Sequence, residues 1–160
     1  MNKSIEFVTG LFDRLLKQPV RNVKLGYGSF LTMGFGKDLQ TEIIVRKKKE
    51  IDIRPEWYLW VYMCSWRLEK NHEILANSDD KRENIEGSLK YLENKKLLKT
   101  EVLSDHCDMR LEFEDGIVLF LLSDNSEDDN EQWMLFTPDD MVLVAGPNQK
   151  ISYHSASESS

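Results

Sequence analysis

The chain has 160 residues, 41% of them apolar, and sets 21 Lys and Arg against 28 Asp and Glu for a net charge of −7. That length suits one α+β domain, placed here at residues 1–154 with a disordered tail at 155–160. The acidic balance argues against nucleic acid and anionic membranes as partners, no apolar run reaches the roughly 20 residues of a membrane span, and two cysteines make no disulfide framework, which points to a reducing cytoplasm.

The first residues lack the apolar stretch of a secretory signal. Ile5, Val8, Leu11, Phe12, Leu15 and Leu16 then recur at spacings of three and four, which predicts a helix near 4–17. Ser4 or Asn2 can cap it, and Pro19 cannot continue it. The period then changes to two. Strands are expected at 20–25 and 29–35 around Gly26-Tyr27-Gly28, followed by a loop over 36–41 and a short strand at 42–45. Arg46-Lys47-Lys48-Lys49 reads as a solvated loop or a charge-protected edge.

Residues 57–68 carry aromatic or apolar side chains at both odd and even positions, which predicts one long strand, central in its sheet and covered on both faces. Asp80, three residues before Glu83, has the spacing of a capping box, with Ile85, Leu89 and Leu92 continuing a helix to about residue 95. Strands are expected again at 97–103, 108–114, 117–122, 132–136 and 141–145, with Asp115-Gly116 as a hairpin turn. The result is an α+β fold, mostly an antiparallel β-sheet of about six to eight strands, with an N-terminal helix and one mid-chain helix.

Several constellations invite chemistry and find plainer readings. Gly26-Tyr27-Gly28 lacks the third glycine of a dinucleotide fingerprint, because position 31 is Leu31. Cys64, His72, His106, Cys107 and His154 show no paired metal-ligand spacing, so neither metal nor other cofactor is expected. Cys64 lies within an aromatic stretch and reads as a small inert hydrophobe. Paired carboxylates fall at turns and caps, and no catalytic residue is assigned. The loop carrying Asp124, Glu127, Asp128, Asp129 and Glu131 lacks the glycine and glutamate of an EF-hand, but it concentrates negative charge that would attract a basic protein partner. As an alternative, Trp60, Tyr62, Trp66 and Arg67 would line a small-molecule or enzymatic pocket beside the aromatic strand.

A resemblance is carried by 26–36 (Gly26-Tyr27-Gly28 through Gly36), 57–68, Asn77-Ser78-Asp79-Asp80, 111–116 and Trp133-Met134-Leu135-Phe136. In that order these segments resemble a group of small uncharacterised bacterial proteins, some found in toxin-immunity neighbourhoods, over about residues 5–147. The resemblance implies an immunity-type inhibitor of a basic toxin and assigns no functional residue. The expected function is therefore non-catalytic, cytoplasmic protein binding.

Overall fold

The structure, a computed structural model, describes residues 3–105, 108–123, 130–147 and 150–158. Two antiparallel sheets hold the core between them. The larger contains β1 (Val20–Leu25), β2 (Leu31–Val45), β3 (Lys48–Val61), β9 (Trp133–Phe136), β10 (Met141–Ala145) and β11 (Ile151–Ser155), in that spatial order. The smaller has the order β5-β4-β8-β7-β6, from β4 (Ser65–Lys70), β5 (Glu73–Asn77), β6 (Leu97–Val102), β7 (Met109–Phe113) and β8 (Ile117–Leu122). The α+β class and antiparallel pairing are those the periodicity predicts. The strands, however, number eleven among the described residues and divide into two sheets.

The expected long strand over 57–68 accounts for that division. Burial falls on the odd positions Trp57, Leu59 and Val61, then on the even positions Cys64, Trp66 and Leu68. A strand has a side-chain period of two, so such a change of phase requires a break. It lies at Tyr62–Cys64, where the chain leaves β3 in one sheet and enters β4 in the other. Each strand buries one face in the shared core. Trp66 is fully buried and its Nε1 donates to the Ser29 carbonyl oxygen at 2.8 Å, tying the smaller sheet to the turn before β2.

Helix α1 (Ile5–Asp13) starts as its sequence directs: Ser4 Oγ accepts the Phe7 N–H at 3.1 Å. It lies along β6 and buries Val8, Leu11 and Phe12. Phe12 meets Trp133 of β9 edge-on with ring centres 5.4 Å apart, and Phe7 meets Tyr153 of β11 at 5.0 Å, so the helix bridges both sheets. Helix α2 (Arg82–Leu89) is shorter than its apolar spacing predicts, and its N-cap is Lys81, not Asp80. Asp80 instead accepts the Asn77 N–H at 2.9 Å and closes the preceding turn. After Leu89 the chain turns through Asn94, whose φ of 68° ends any helical continuation.

Side chains from α2 and its C-terminal turn organise β1. Arg82 donates to the carbonyl oxygens of Leu25, Gly26 and Gly28 at 3.1, 2.8 and 3.2 Å. Glu93 accepts the N–H groups of Asn22 and Val23 at 2.8 and 2.9 Å, where the β1–β2 register shifts. At the C-terminus, Ser155 closes β11 and Ala156–Glu158 forms a 3-10 turn, so these residues of the expected tail have defined structure.

Candidate functional site

The loop expected over 36–41 is strand, and β2 and β3 run on together far past the rest of the sheet. Their pairing extends from Leu31↔Val61 to Val45↔Lys48. β1 accompanies β2 only as far as Phe35, through Val20↔Phe35, and β9 accompanies β3 only as far as Tyr58, through Tyr58↔Phe136. From Asp38↔Pro55 to the tip, no described strand pairs with either outer edge. At about 3.3 Å per residue these eight paired rows form a two-stranded arm roughly 25–30 Å long.

The base of the arm is built by a bulge. Between Phe35 and Asp38, β2 advances three residues while β3 advances two, and Gly36 takes a φ of +85° that favours glycine. Glu56 accepts the Lys37 N–H at 2.6 Å, Arg21 donates to the Gly36 carbonyl oxygen, and Arg21 also pairs with Asp38 at 3.0 Å. Pro55 lies against Gly34 so closely that a Cβ there would sit 2.5 Å from the proline Cγ. At the tip, Arg46 and Lys47 both have positive φ (52° and 66°), the conformation of a two-residue hairpin turn. The basic run is thus divided: Arg46-Lys47 turn, while Lys48 and Lys49 begin β3.

Directly opposed residues share a face and alternate along each strand. One face carries Leu39, Thr41, Ile43 and Val45 opposite Arg54, Asp52, Glu50 and Lys48. The other carries Asp38, Gln40, Glu42 and Ile44 opposite Pro55, Ile53, Ile51 and Lys49. The contacts at the base show which side this second face takes: Pro55 lies on Gly34 and Asp38 pairs with Arg21, which stands opposite Gly34, so past the bulge Ile51 and Ile53 are on the side away from the core residues Trp57, Leu59 and Val61. Ile44, Ile51 and Ile53 are 75%, 64% and 58% exposed. Three large aliphatic side chains lie bare on one face of the arm.

The sequence-derived site residues lie elsewhere. Asp124, Glu127, Asp128 and Asp129 fall outside the described residues, while Glu131 is exposed and its carbonyl oxygen accepts the Met63 N–H at 3.3 Å. Trp60 lies on the outer face of the larger sheet between Tyr58 and Phe136, at ring distances of 5.7 and 4.9 Å, and its shielded Nε1 has no hydrogen-bond partner among the described residues. Tyr62 sits at the corner against Phe30 at 4.4 Å. Trp66 points into the core. Arg67 lies on the outer side of the smaller sheet, 4.6 Å above the Phe120 ring and 2.6 Å from Glu69. These four side chains face different parts of the molecule and do not converge on one pocket.

A groove of about 290 Å³ lies between β1 and α2, lined in part by Val23, Leu25 and Leu89, but its Glu93 is already engaged by the β1 backbone. Cys64 is buried, and desolvation pushes its thiol up to about 12, so it stays protonated and unreactive at neutral pH. Among the described residues no group of three His, Cys, Asp or Glu could hold a metal ion, and no helix is long and apolar enough to cross a membrane. The arm escaped sequence reading because Gly36-Lys37-Asp38 interrupts the apolar alternation and Arg46-Lys47 lacks the usual Asn-Gly turn signature. The alternating Ile51-Asp52-Ile53 was the available signal. Comparison with known proteins finds no matching family, no matching curated protein and no matching solved structure.

Proposed function

We propose that the protein is a non-catalytic binding protein whose contact element is the β2–β3 arm. One observation carries this reading: a hairpin with free backbone edges presents Ile44, Ile51 and Ile53 to solvent. Contiguous exposed apolar surface marks an interaction site, and a free strand edge is a ready template for added strands. An isolated two-stranded hairpin is only marginally stable in water, so retaining one this long makes sense where a partner covers it. The partner is a protein, because apolar strand recognition suits a polypeptide and the whole chain carries −7.

A second reading keeps the acidic surface as the contact and a basic toxin as the partner, an immunity-type inhibition. The net charge favours it, and the loop at 124–131 would carry it. Affinity capture at low and high salt separates the two. Capture through the arm is lost in Ile44→Thr/Ile51→Thr/Ile53→Thr and survives about 0.5 M salt, where screening operates within a few ångströms. Capture through the acidic loop resists the isoleucine changes and disappears with salt. Capture untouched by the arm substitutions overturns the arm reading.

A further inference from the structure

We propose that what binds the arm is an extended polypeptide segment, added as an antiparallel strand along the outer edge of β3, with apolar side chains beside Ile51 and Ile53 and carboxylates beside Lys49 and Lys48. The inference rests on the arm being the contact element and names the chemistry of its partner.

The hairpin decides which edge is the template. Val45 and Lys48 flank the two-residue turn and form the hydrogen-bonded pair that closes it. Bonded and non-bonded pairs then alternate, and no register shift interrupts them back to Asp38↔Pro55. The N–H and C=O groups of Lys49, Ile51 and Ile53 therefore point away from β2. β9 does not reach them, because its pairing with β3 stops at Tyr58. Pro55 is next in that series and has no N–H, so the template ends at the arm base. On the opposite edge the outward residues are Gln40, Glu42 and Ile44. That edge offers one apolar side chain where β3 offers two, and a carboxylate where β3 offers an ammonium.

Side chains set the sequence such a strand carries. Residues directly opposite each other in a new hydrogen-bonded pair lie about 5.5 Å apart, close enough to touch. Ile51 and Ile53, bare in the chain alone, take apolar neighbours. Arg46, Lys47, Lys48 and Lys49 are all exposed, and none joins an ion pair among the described residues. Asp38 and Asp52, by contrast, are held by Arg21 and Arg54. The tip is thus a cationic spot on a chain of −7, and at the arm's length it stands well beyond the ~8 Å screening distance from the acidic body. Run antiparallel to β3, the segment reads apolar–x–apolar–x–acidic–acidic. A basic segment would set ammonium against ammonium at its end. Lipid headgroups and nucleic-acid phosphates match the charge but not the free backbone groups of Lys49, Ile51 and Ile53, which another strand pairs.

The probe is a peptide of that pattern, acetyl-Ser-Val-Thr-Val-Thr-Glu-Glu-Ser-amide, titrated to about 2 mM against the full chain so that weak association registers. Amide chemical shifts and amide exchange are the readouts. Exchange is expected to slow several-fold at Lys49, Ile51 and Ile53 and to stay unchanged at Glu42 and Ile44. Replacing both valines of the peptide by serine, or both glutamates by lysine, weakens binding at least tenfold. Lys48→Glu/Lys49→Glu, at exposed positions, loses the glutamate peptide and gains the lysine one. Salt at about 0.5 M weakens the glutamate peptide several-fold while its contact with the isoleucines persists. Equal binding of the glutamate and lysine peptides overturns the inference, as does protection along β2 in place of β3, or no protection by any peptide over the whole titration. Arm shifts produced by vesicles of about 30% phosphatidylserine, or by a single-stranded oligonucleotide, and not by the peptide also overturn it. The arm reading outlives each of these outcomes if protein capture still depends on Ile44, Ile51 and Ile53, and falls only if capture ignores them.

Discussion

Trp60 and Trp66 lie six residues apart in opposite circumstances. Trp66 is fully buried with its N–H satisfied by Ser29, whereas the shielded N–H of Trp60 finds no partner among the described residues. Leaving a shielded donor unpaired costs free energy, and removing it recovers that cost. Trp60→Phe is therefore expected to change unfolding stability by less than about 1 kcal/mol, while Trp66→Phe costs about 1–3 kcal/mol through the orphaned carbonyl and lost volume. Urea denaturation of the two variants makes the comparison. At Gly34 the space is occupied by Pro55, so Gly34→Ala forces the arm base apart and costs about 1–3 kcal/mol by the same measurement. Cys64 supplies a pH dependence. Its folded value, about 12, lies above the ordinary 9.0, so the protonated thiol is favoured by folding. Its stabilising contribution is complete below pH 9 and is lost as pH rises from there toward 12. Cys64→Ala is predicted to flatten that alkaline decline in urea midpoints measured across the window.

Among the elements, those with one clean period were legible from sequence: the α1 stripe with its Ser4 cap, β1, β7, β8 and the Asp115-Gly116 turn, where both residues have positive φ (62° and 73°). Elements whose local chemistry conflicts with their tertiary role were not. Residues 57–68 look like one strand because every position is apolar or aromatic over most of their length. Only the phase of burial, a property of the fold, shows the passage between sheets. Asp80 has the right spacing for a cap and instead closes the turn at Asn77. In the arm, Gly36 supplies a bulge where glycine ordinarily ends a strand, and exposure hides the alternation that burial would have imposed. Of the residues singled out as a site, most of the acidic loop lies outside the described residues and the aromatic set is dispersed by the sheet change, so the arm was not among them. Its turn yields an element-scale prediction. Arg46 and Lys47 hold positive φ without the residues that favour it. Arg46→Asn/Lys47→Gly should stabilise the hairpin by about 1 kcal/mol, since side chains at positive φ carry a steric cost. Slower amide exchange confined to 38–55 would show it, and unchanged exchange would contradict it.

At the scale of the whole molecule, the core closes between two sheets while β2 and β3 of the larger one run on beyond it. Trp57, Leu59 and Val61 are buried in that core, whereas Ile44, Ile51 and Ile53 lie past the bulge on the other side of the hairpin and are bare. Contiguous apolar surface left in water is the kind that a contact with another chain covers. Isoleucine-methyl NMR is the sharpest test of the proposal that the protein meets another chain at this arm, following Ile44, Ile51 and Ile53 as chain concentration rises and then as a captured partner is added. Shifts or broadening are expected at these three methyls in at least one titration while the buried Ile85 and Ile117 stay fixed. Association that leaves all three methyls unchanged would contradict it.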